Sequence, residues 1–234
     1  QMCIRDSMKR GYLCLLFFFA CVWWRGEGVA GNIPGLSSTC QVEEWTLEKK
    51  ETDQAIFRRA DTRLRLMPLT EGAVRVVRSR GIAHELPELV YLPVKAPAYT
   101  LKKEDGGYIL TLKNVRVKVS VSDGRISFLS SDGKVILGEE GGQIQASSVQ
   151  GEQTYVSTQT FHSPSDEYLY GLGQFQDGYL NVRGLTRRLT QVNTQIAIPF
   201  VMSNKGYGLL WNNYGLTDFN PASTVIALQK TGVS

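Results

Sequence analysis

Asp166, Glu167, Asp177 and Asp218 are the residues best equipped for chemistry in this chain of 234 residues. They lie in or beside a stretch dense in glycine and aromatic residues, 167–213, which reads EYLYGLGQFQDGYLNVRGLTRRLTQVNTQIAIPFVMSNKGYGLLWNN. Two carboxylates flanking a glycosidic bond are the usual machinery for breaking it, one protonating the leaving oxygen and the other acting as nucleophile or base. That work needs the two groups to converge. No spacing among these four places two of them on one strand face. Each also has a structural reading: Glu167 ends a strand or pairs with an arginine, and Asp177 before Gly178 makes a turn. Acidic residues at large mostly solvate loops.

Other chemistries fare worse. His84 and His162 stand far apart, without the H-E-x-x-H spacing of a zinc site. No G-x-S-x-G nucleophile elbow and no phosphate-binding Walker loop occurs. Gly171-Leu172-Gly173 fails as a dinucleotide fingerprint, because Gln176 takes the third glycine's place and no helix follows. Cys3, Cys14 and Cys21 fall in the first thirty residues, which leaves Cys40 alone for the remainder. One thiol makes neither an internal disulfide nor a multi-cysteine metal site. No metal and no cofactor is expected. The net charge of +4 is spread along the chain. Arg63 and Arg65, Arg75 and Arg78, and Arg116 and Lys118 sit among apolar neighbours, as on the wet faces of strands. That dispersion argues against a nucleic-acid partner.

The elements that carry these residues are strands. Val115, Val117, Val119 and Val121 alternate with Arg116, Lys118 and Ser120. Tyr108–Leu112 follows an Asp105-Gly106-Gly107 turn, Asp123-Gly124 leads from the valine run into Ile126–Phe128, and Asp132-Gly133 leads into Val135–Leu137. Asp-Gly between alternating runs signals a hairpin whose two central residues both take positive φ. Earlier strands are expected at Thr62–Leu66 and Ala73–Val77, and later ones at Thr154–Phe161, Leu185–Gln191, Gln195–Met202, Gly206–Trp211 and Thr224–Gln229. Pro87, Pro93 and Pro97 mark an irregular stretch between them. Short strands with Gly/Pro turns and no sustained 3.6-residue period predict an all-β, antiparallel β-sandwich of two packed sheets. Within it, Tyr170-Gly171-Leu172-Gly173-Gln174 reads as a tight turn. Tyr207, Leu209 and Trp211 share one strand face, and large rings on such a face are expected in the core rather than stacked on sugar.

The amino-terminal residues read as processing signals. Met8-Lys9-Arg10 followed by the apolar run Tyr12–Trp24 fits a signal-peptide helix over 8–30, with Gly28-Val29-Ala30 supplying small residues for cleavage. Phe18-Phe19-Ala20-Cys21 offers a lipoprotein alternative with lipid on Cys21. Either places the protein outside the cytoplasm, periplasmic or extracellular, with no integral span once the leader is removed. Gln1–Ser7 resembles an adapter scar, 31–39 a linker, and 40–234 the folded domain.

Three segments together carry a family resemblance. Tyr170-Gly171-Leu172-Gly173-Gln174, the NTQIAIPF run with Pro199 and Phe200, and Ser203-Asn204-Lys205-Gly206-Tyr207-Gly208-Leu209-Leu210-Trp211 resemble the N-terminal domain of glycoside hydrolase family 31. Arg63-Leu64-Arg65-Leu66 and Val74-Arg75-Val76 are similar to that domain's opening strands. The similarity runs over about Ala60 to Asn220 and leans toward secreted bacterial α-xylosidases and α-glucosidases. It implies a galactose mutarotase-like sandwich packed against a C-terminal (β/α)8 barrel, in which two aspartates act on an oligosaccharide substrate with retention of configuration. Those aspartates have no counterpart in this sequence, so the fragment alone is expected to be inactive. The resemblance further implies a loop between Gly184 and Ile198 reaching toward the sugar subsites. Related branches carry an Asp after an Arg there; this chain has Arg187-Arg188-Leu189-Thr190-Gln191-Val192-Asn193, which passes the role to Gln191 and Asn193. Both amides can donate to and accept from sugar hydroxyls, and equally well cap neighbouring strand ends. The alternative reading is a stand-alone carbohydrate-binding sandwich. An aldose epimerase is disfavoured because His84 and His162 make no pair.

Overall fold

The computed structural model describes residues 43–81, 87–92, 94–221 and 225–231, the last of these by backbone alone. The expected scar, signal-peptide helix and linker, together with Cys21, Cys40 and His84, lie outside the described residues. Every regular element among the described residues is a strand, and every pairing between them is antiparallel.

In chain order the strands are β1 (Thr46–Lys50), β2 (Ala55–Arg59), β3 (Thr62–Thr70), β4 (Ala73–Arg80), β5 (Thr100–Glu104) and β6 (Gly107–Thr111). Next come β7 (Val115–Ser120), β8 (Ile126–Ser130), β9 (Val135–Val149), β10 (Glu152–His162) and β11 (Leu169–Gln174). The last five are β12 (Arg187–Leu189), β13 (Ile196–Ser203), β14 (Tyr207–Leu210), β15 (Leu216–Pro221) and β16 (Val225–Thr231).

Nine of them form one long sheet in the order β12-β15-β16-β10-β9-β8-β7-β6-β5. The opposing layer is split into a sheet β1-β2-β3-β4 and a sheet β11-β13-β14. The sandwich is therefore built from three sheets rather than two, and it has two cores. In the first, Phe57, Leu64 and Leu66 meet Leu110, Val117, Val119 and Ile126. All seven are essentially inaccessible to water, and each such side chain stabilises the fold by about 1.5–3 kcal/mol. In the second, Leu169, Leu172 and Val201 meet Leu137, Phe161 and Phe219. Phe128 packs against both clusters and joins them.

The Asp-Gly hairpins form where expected but by different backbone geometry. Gly106, Gly124 and Gly133 have φ of +75°, +72° and +88°, while none of the preceding aspartates is left-handed. Asp123 instead accepts a hydrogen bond from the Arg125 amide at 3.0 Å, which shapes the turn through its side chain. The turn with two left-handed central residues is Gln150-Gly151, between β9 and β10.

Arg78 corrects the wet-face reading of the arginines. It points inward, pairs with Glu139 and donates to the Gly124 carbonyl at 3.0 Å. Glu139 also accepts the Ile126 amide at 2.9 Å, and burial pushes its carboxyl above the usual range despite Arg78. Arg63 does lie outward, held by Glu48 through two bonds of 3.0 Å.

Candidate functional site

The glycine-rich motif is a strand and not a turn. Tyr170 to Gln174 lie within β11, where Gly171 has φ +116°, Leu172 +68° and Gly173 +102°. Gly171 faces Val201 on β13, yet Gly173, two residues on, faces Ala197, four residues away. The extra residues of β13 form a bulge, and the Ile198-Pro199-Phe200 run fills it. A proline inside a strand is tolerated where the ladder is interrupted. The Pro199 carbonyl still serves, accepting the Trp211 amide at 2.8 Å. Left-handed backbone turns Leu172 into the second core, where it is 2% exposed.

Beneath this sheet lies a polar hub that the sequence does not announce. Glu167 is 1% exposed. Its carboxylate accepts hydrogen bonds from the hydroxyls of Ser163 and Ser203 and, at 2.7 Å, from Tyr207. Arg183 stands 3.9 Å away and donates to Ser163 Oγ at 2.5 Å. Around it, Asn204 accepts the Tyr168 amide at 2.8 Å and donates to the Asp166 carbonyl at 3.1 Å. Lys205 closes the set with an ion pair to Asp166 at 2.5 Å. The Ser203-Asn204-Lys205-Gly206-Tyr207 segment is thus a hairpin stapled to the loop before β11, with Gly206 at φ +86° making the turn. Glu167 does pair with an arginine, one of its two expected roles. Ser163 and Arg183 escape sequence reasoning because separations of 4 and 16 residues along irregular chain carry no periodic signal.

Burial, and after it the bond to Glu167, raises the Tyr207 hydroxyl well above the ordinary phenol range. A folded state that keeps this proton loses stability as pH rises beyond about 10, where the unfolded tyrosine ionises. Tyr207→Phe should remove that alkaline slope and cost about 1.5–3 kcal/mol at neutral pH, the worth of a hydrogen bond to a charged group. Urea unfolding at pH 7 to 11 measures both. An unchanged slope in the variant would show that other groups set it.

The remaining carboxylates are also engaged. Asp177 pairs with Arg187 at 2.5 Å, and the Arg187 guanidinium lies 4.0 Å from the Phe175 ring centre. Asp177 also accepts the Tyr179 amide, and Gly178 at φ +75° completes the expected turn. Asp218 is gripped by Arg188 at 2.8 and 3.0 Å, which holds its carboxyl below the usual range; Lys205 does the same for Asp166. The four candidates therefore meet four different basic residues. His162, exposed, pairs with Glu140 at 2.9 Å.

The loop that carries Gln191 and Asn193 is a tight hairpin closed by reciprocal bonds between Val192 and Gln195 at 3.2 and 3.1 Å. Gln191 Oε1 accepts the Ala197 amide at 3.1 Å and so braces β13. Asn193 is exposed at the hairpin's tip. Gln191, Ala197, Pro199, Asn213, Tyr214 and Thr217 line a shallow groove of about 180 Å³. Small-molecule pockets usually enclose roughly 300–1,000 Å³, so the groove forms at most part of a larger site. Tyr207, Leu209 and Trp211 pack on the second core, as expected of that strand face, and Gly208 lets the Phe200 ring cross the opposite face. Among the described residues no three His, Cys, Asp or Glu side chains gather as metal ligands. No helix among them is long and apolar enough to cross a membrane.

Known proteins share both sequence and architecture. Residues 63–220 match the family model described as the glycosyl hydrolase 31 N-terminal galactose mutarotase-like domain. An uncharacterized family 31 glucosidase of Pseudescherichia vulneris is 38% identical over 91 residues, covering 39% of this chain and 15% of the relative. An α-xylosidase of Saccharolobus solfataricus is 44% identical over 72 residues, covering 27% and 10%. The crystal structure of an α-xylosidase from Xanthomonas citri superposes with a TM-score of 0.68 at 31% identity, covering 73% of this chain and 19% of that one. A soil-metagenome α-xylosidase complexed with xylose gives 0.65 at 25%, covering 82% and 32%. This chain thus spans a minor part of the length of each. With its bulged β13, its all-antiparallel layers and this match, the chain belongs to glycoside hydrolase family 31, whose N-terminal galactose mutarotase-like domain it contains.

Proposed function

We propose that this chain is the N-terminal β-sandwich of an exported, retaining α-glycosidase acting on α-xylosidic or α-glucosidic bonds in oligosaccharides. A C-terminal (β/α)8 barrel supplies the catalytic aspartates, at the carboxyl ends of its strands where barrel active sites lie. The observation that carries this reading is the engagement of Asp166, Glu167, Asp177 and Asp218 by Lys205, Arg183, Arg187 and Arg188, within a domain that makes up a small share of its relatives. Those carboxylates are accounted for as structure. The sandwich contributes Gln191 and Asn193 toward the sugar. Gln191 spends its oxygen on the Ala197 amide, and its amide nitrogen has no partner among the described residues, which suits donation to a sugar hydroxyl. Export runs through the leader at 8–30, with lipid on Cys21 as the variant route.

The test is direct. The purified 234-residue chain should hydrolyse neither nitrophenyl α-xyloside nor nitrophenyl α-glucoside. Reading the parent gene onward past Ser234 should reveal barrel strands ending in an aspartate nucleophile. Turnover at the rate of an intact glycosidase, or a stop codon in place of the barrel, would overturn the proposal.

A further inference from the structure

A second cleft, of about 410 Å³, opens on the outer face of the sheet β1-β2-β3-β4, on a different sheet from the groove that Gln191 lines. Its volume falls in the range of small-molecule sites. A bulge in β1 builds one wall. Leu47 pairs with Phe57 and Lys49 with Ile56, which makes Glu48 the extra residue, and Glu48 and Lys49 both line the cleft. Arg63 and Arg65 reach it from β3, and Ser79 on β4 stands directly opposite Arg63. Ser79 is 3% exposed, and its hydroxyl has no hydrogen-bond partner among the described residues. Buried hydroxyls are nearly always bonded, so an unbonded one bordering a cleft points to an oxygen that comes from outside the chain. Beside it, Arg63 gives two N–H donors to Glu48 at 3.0 Å and keeps the rest of its fork. Lys49 pairs with Glu51 and also has further donors.

Charge narrows the ligand. The lining carries three cations, Lys49, Arg63 and Arg65, against two carboxylates, Glu48 and Glu51. Arg58 stands directly across from Arg63, an opposition of like charges that Glu48 offsets in part, at 3.9 Å from one and 3.0 Å from the other. A ligand with one negative group relieves the remainder, and an arginine fork matches a carboxylate. A compact inorganic anion does not suit the site, because Glu48 and Glu51 repel it and receive few donors from it. A zwitterion brings no net charge to balance the cations. Sugar hydroxyls, by contrast, donate to both glutamates and accept from Ser79. We infer that this cleft binds an acidic sugar unit, a uronate. Its carboxylate meets Arg63 and Lys49, and its hydroxyls meet Glu48, Glu51 and Ser79. The site is independent of the proposed function and stands or falls without it.

The experiment is a ligand-detected NMR titration of the full 234-residue chain with glucuronate, which should bind with a Kd of about 1 mM or tighter. Ser79→Ala should weaken binding about five-fold, the worth of one hydrogen bond, and Arg63→Gln about ten-fold or more, the worth of a bond to a charged group. Lys49→Gln, whose side chain is 63% exposed and therefore dispensable for packing, should act like Arg63→Gln and serves where that variant does not fold. Arg188→Gln, which removes an equal charge from β12, should change nothing. Circular dichroism and thermal midpoints of the variants should match the parent chain. Glucose, glycine and inorganic phosphate should each bind roughly ten-fold more weakly than glucuronate, or not at all. The inference is overturned if glucuronate does not bind, or binds equally well after all the cleft substitutions. Phosphate or glycine binding as tightly would make this a general anion or zwitterion site, and glucose doing so a neutral-sugar site; each of these results overturns the uronate assignment.

Discussion

Glu167→Gln should lower the unfolding free energy of this chain by about 3–5 kcal/mol, the cost of breaking a buried charged pair from one side. The carboxylate is the common acceptor for Ser163, Ser203 and Tyr207 and the counter-charge of Arg183. An amide of the same shape keeps one acceptor oxygen and turns the other position into a donor, aimed at groups that are themselves donating. It also removes the carboxylate charge that stands 3.9 Å from Arg183, whose side chain is 14% exposed. The consequence reaches beyond the hub, because Ser203 and Tyr207 begin and end the β13–β14 hairpin turn. Urea unfolding of the full chain measures the loss. A change of less than about 1 kcal/mol, the size of an ordinary surface substitution, would mean that the hub does not hold the hairpin. Asp218→Asn, which opens only the exposed pair with Arg188, should have a far smaller effect than Glu167→Gln.

The sequence disclosed what is local and concealed what is not. The alternation of Val115, Val117 and Val119 is a period of two within one strand, and all three are buried as that period requires. Strands β1 (TLEKK) and β5 (TLKKE) end their sheets, and their largely exposed, polar side chains leave no alternation to detect. β11 reads as a turn in the sequence because its glycines suggest a bend, whereas they let the strand run close to the bulged β13. Of the candidate residues, Gln191 and Asn193 do share a hairpin, but Gln191 is partly committed to the Ala197 amide. The hub joins Glu167 to Ser163, Arg183 and Tyr207 across irregular chain and a separate strand. Its pairing exists only after these segments have packed, so no motif in the chain encodes it. β13 is legible as IAIPFVM but ambiguous in direction, because apolar residues fill both of its faces.

Gly173→Ala should destabilise the chain by about 2–4 kcal/mol, more than strain in an open left-handed position would cost. At φ +102° the added Cβ would sit 2.0 Å from the Ile196 carbonyl oxygen and 2.9 Å from the Ile198 amide nitrogen. These are backbone atoms of the neighbouring strand, so no side chain can swing aside; β11 and β13 must separate or the bulge must rearrange. Gly206→Ala supplies the comparison. Gly206 is also left-handed, at φ +86°, but nothing lies within 4 Å of the place its Cβ would occupy. Only the backbone cost of about 1 kcal/mol applies there. Parallel urea titrations of the two variants separate close approach from left-handed strain. Equal losses would show that β13 yields easily and that the bulge is not fixed by Gly173. A larger loss at Gly173 means that this glycine is required for strand contact, since the Ile198-Pro199-Phe200 run can bulge outward only if β11 presents bare backbone beneath it. The outer face of β13 then depends on that glycine too, because the bulge sets where Ile198 and Phe200 stand on it.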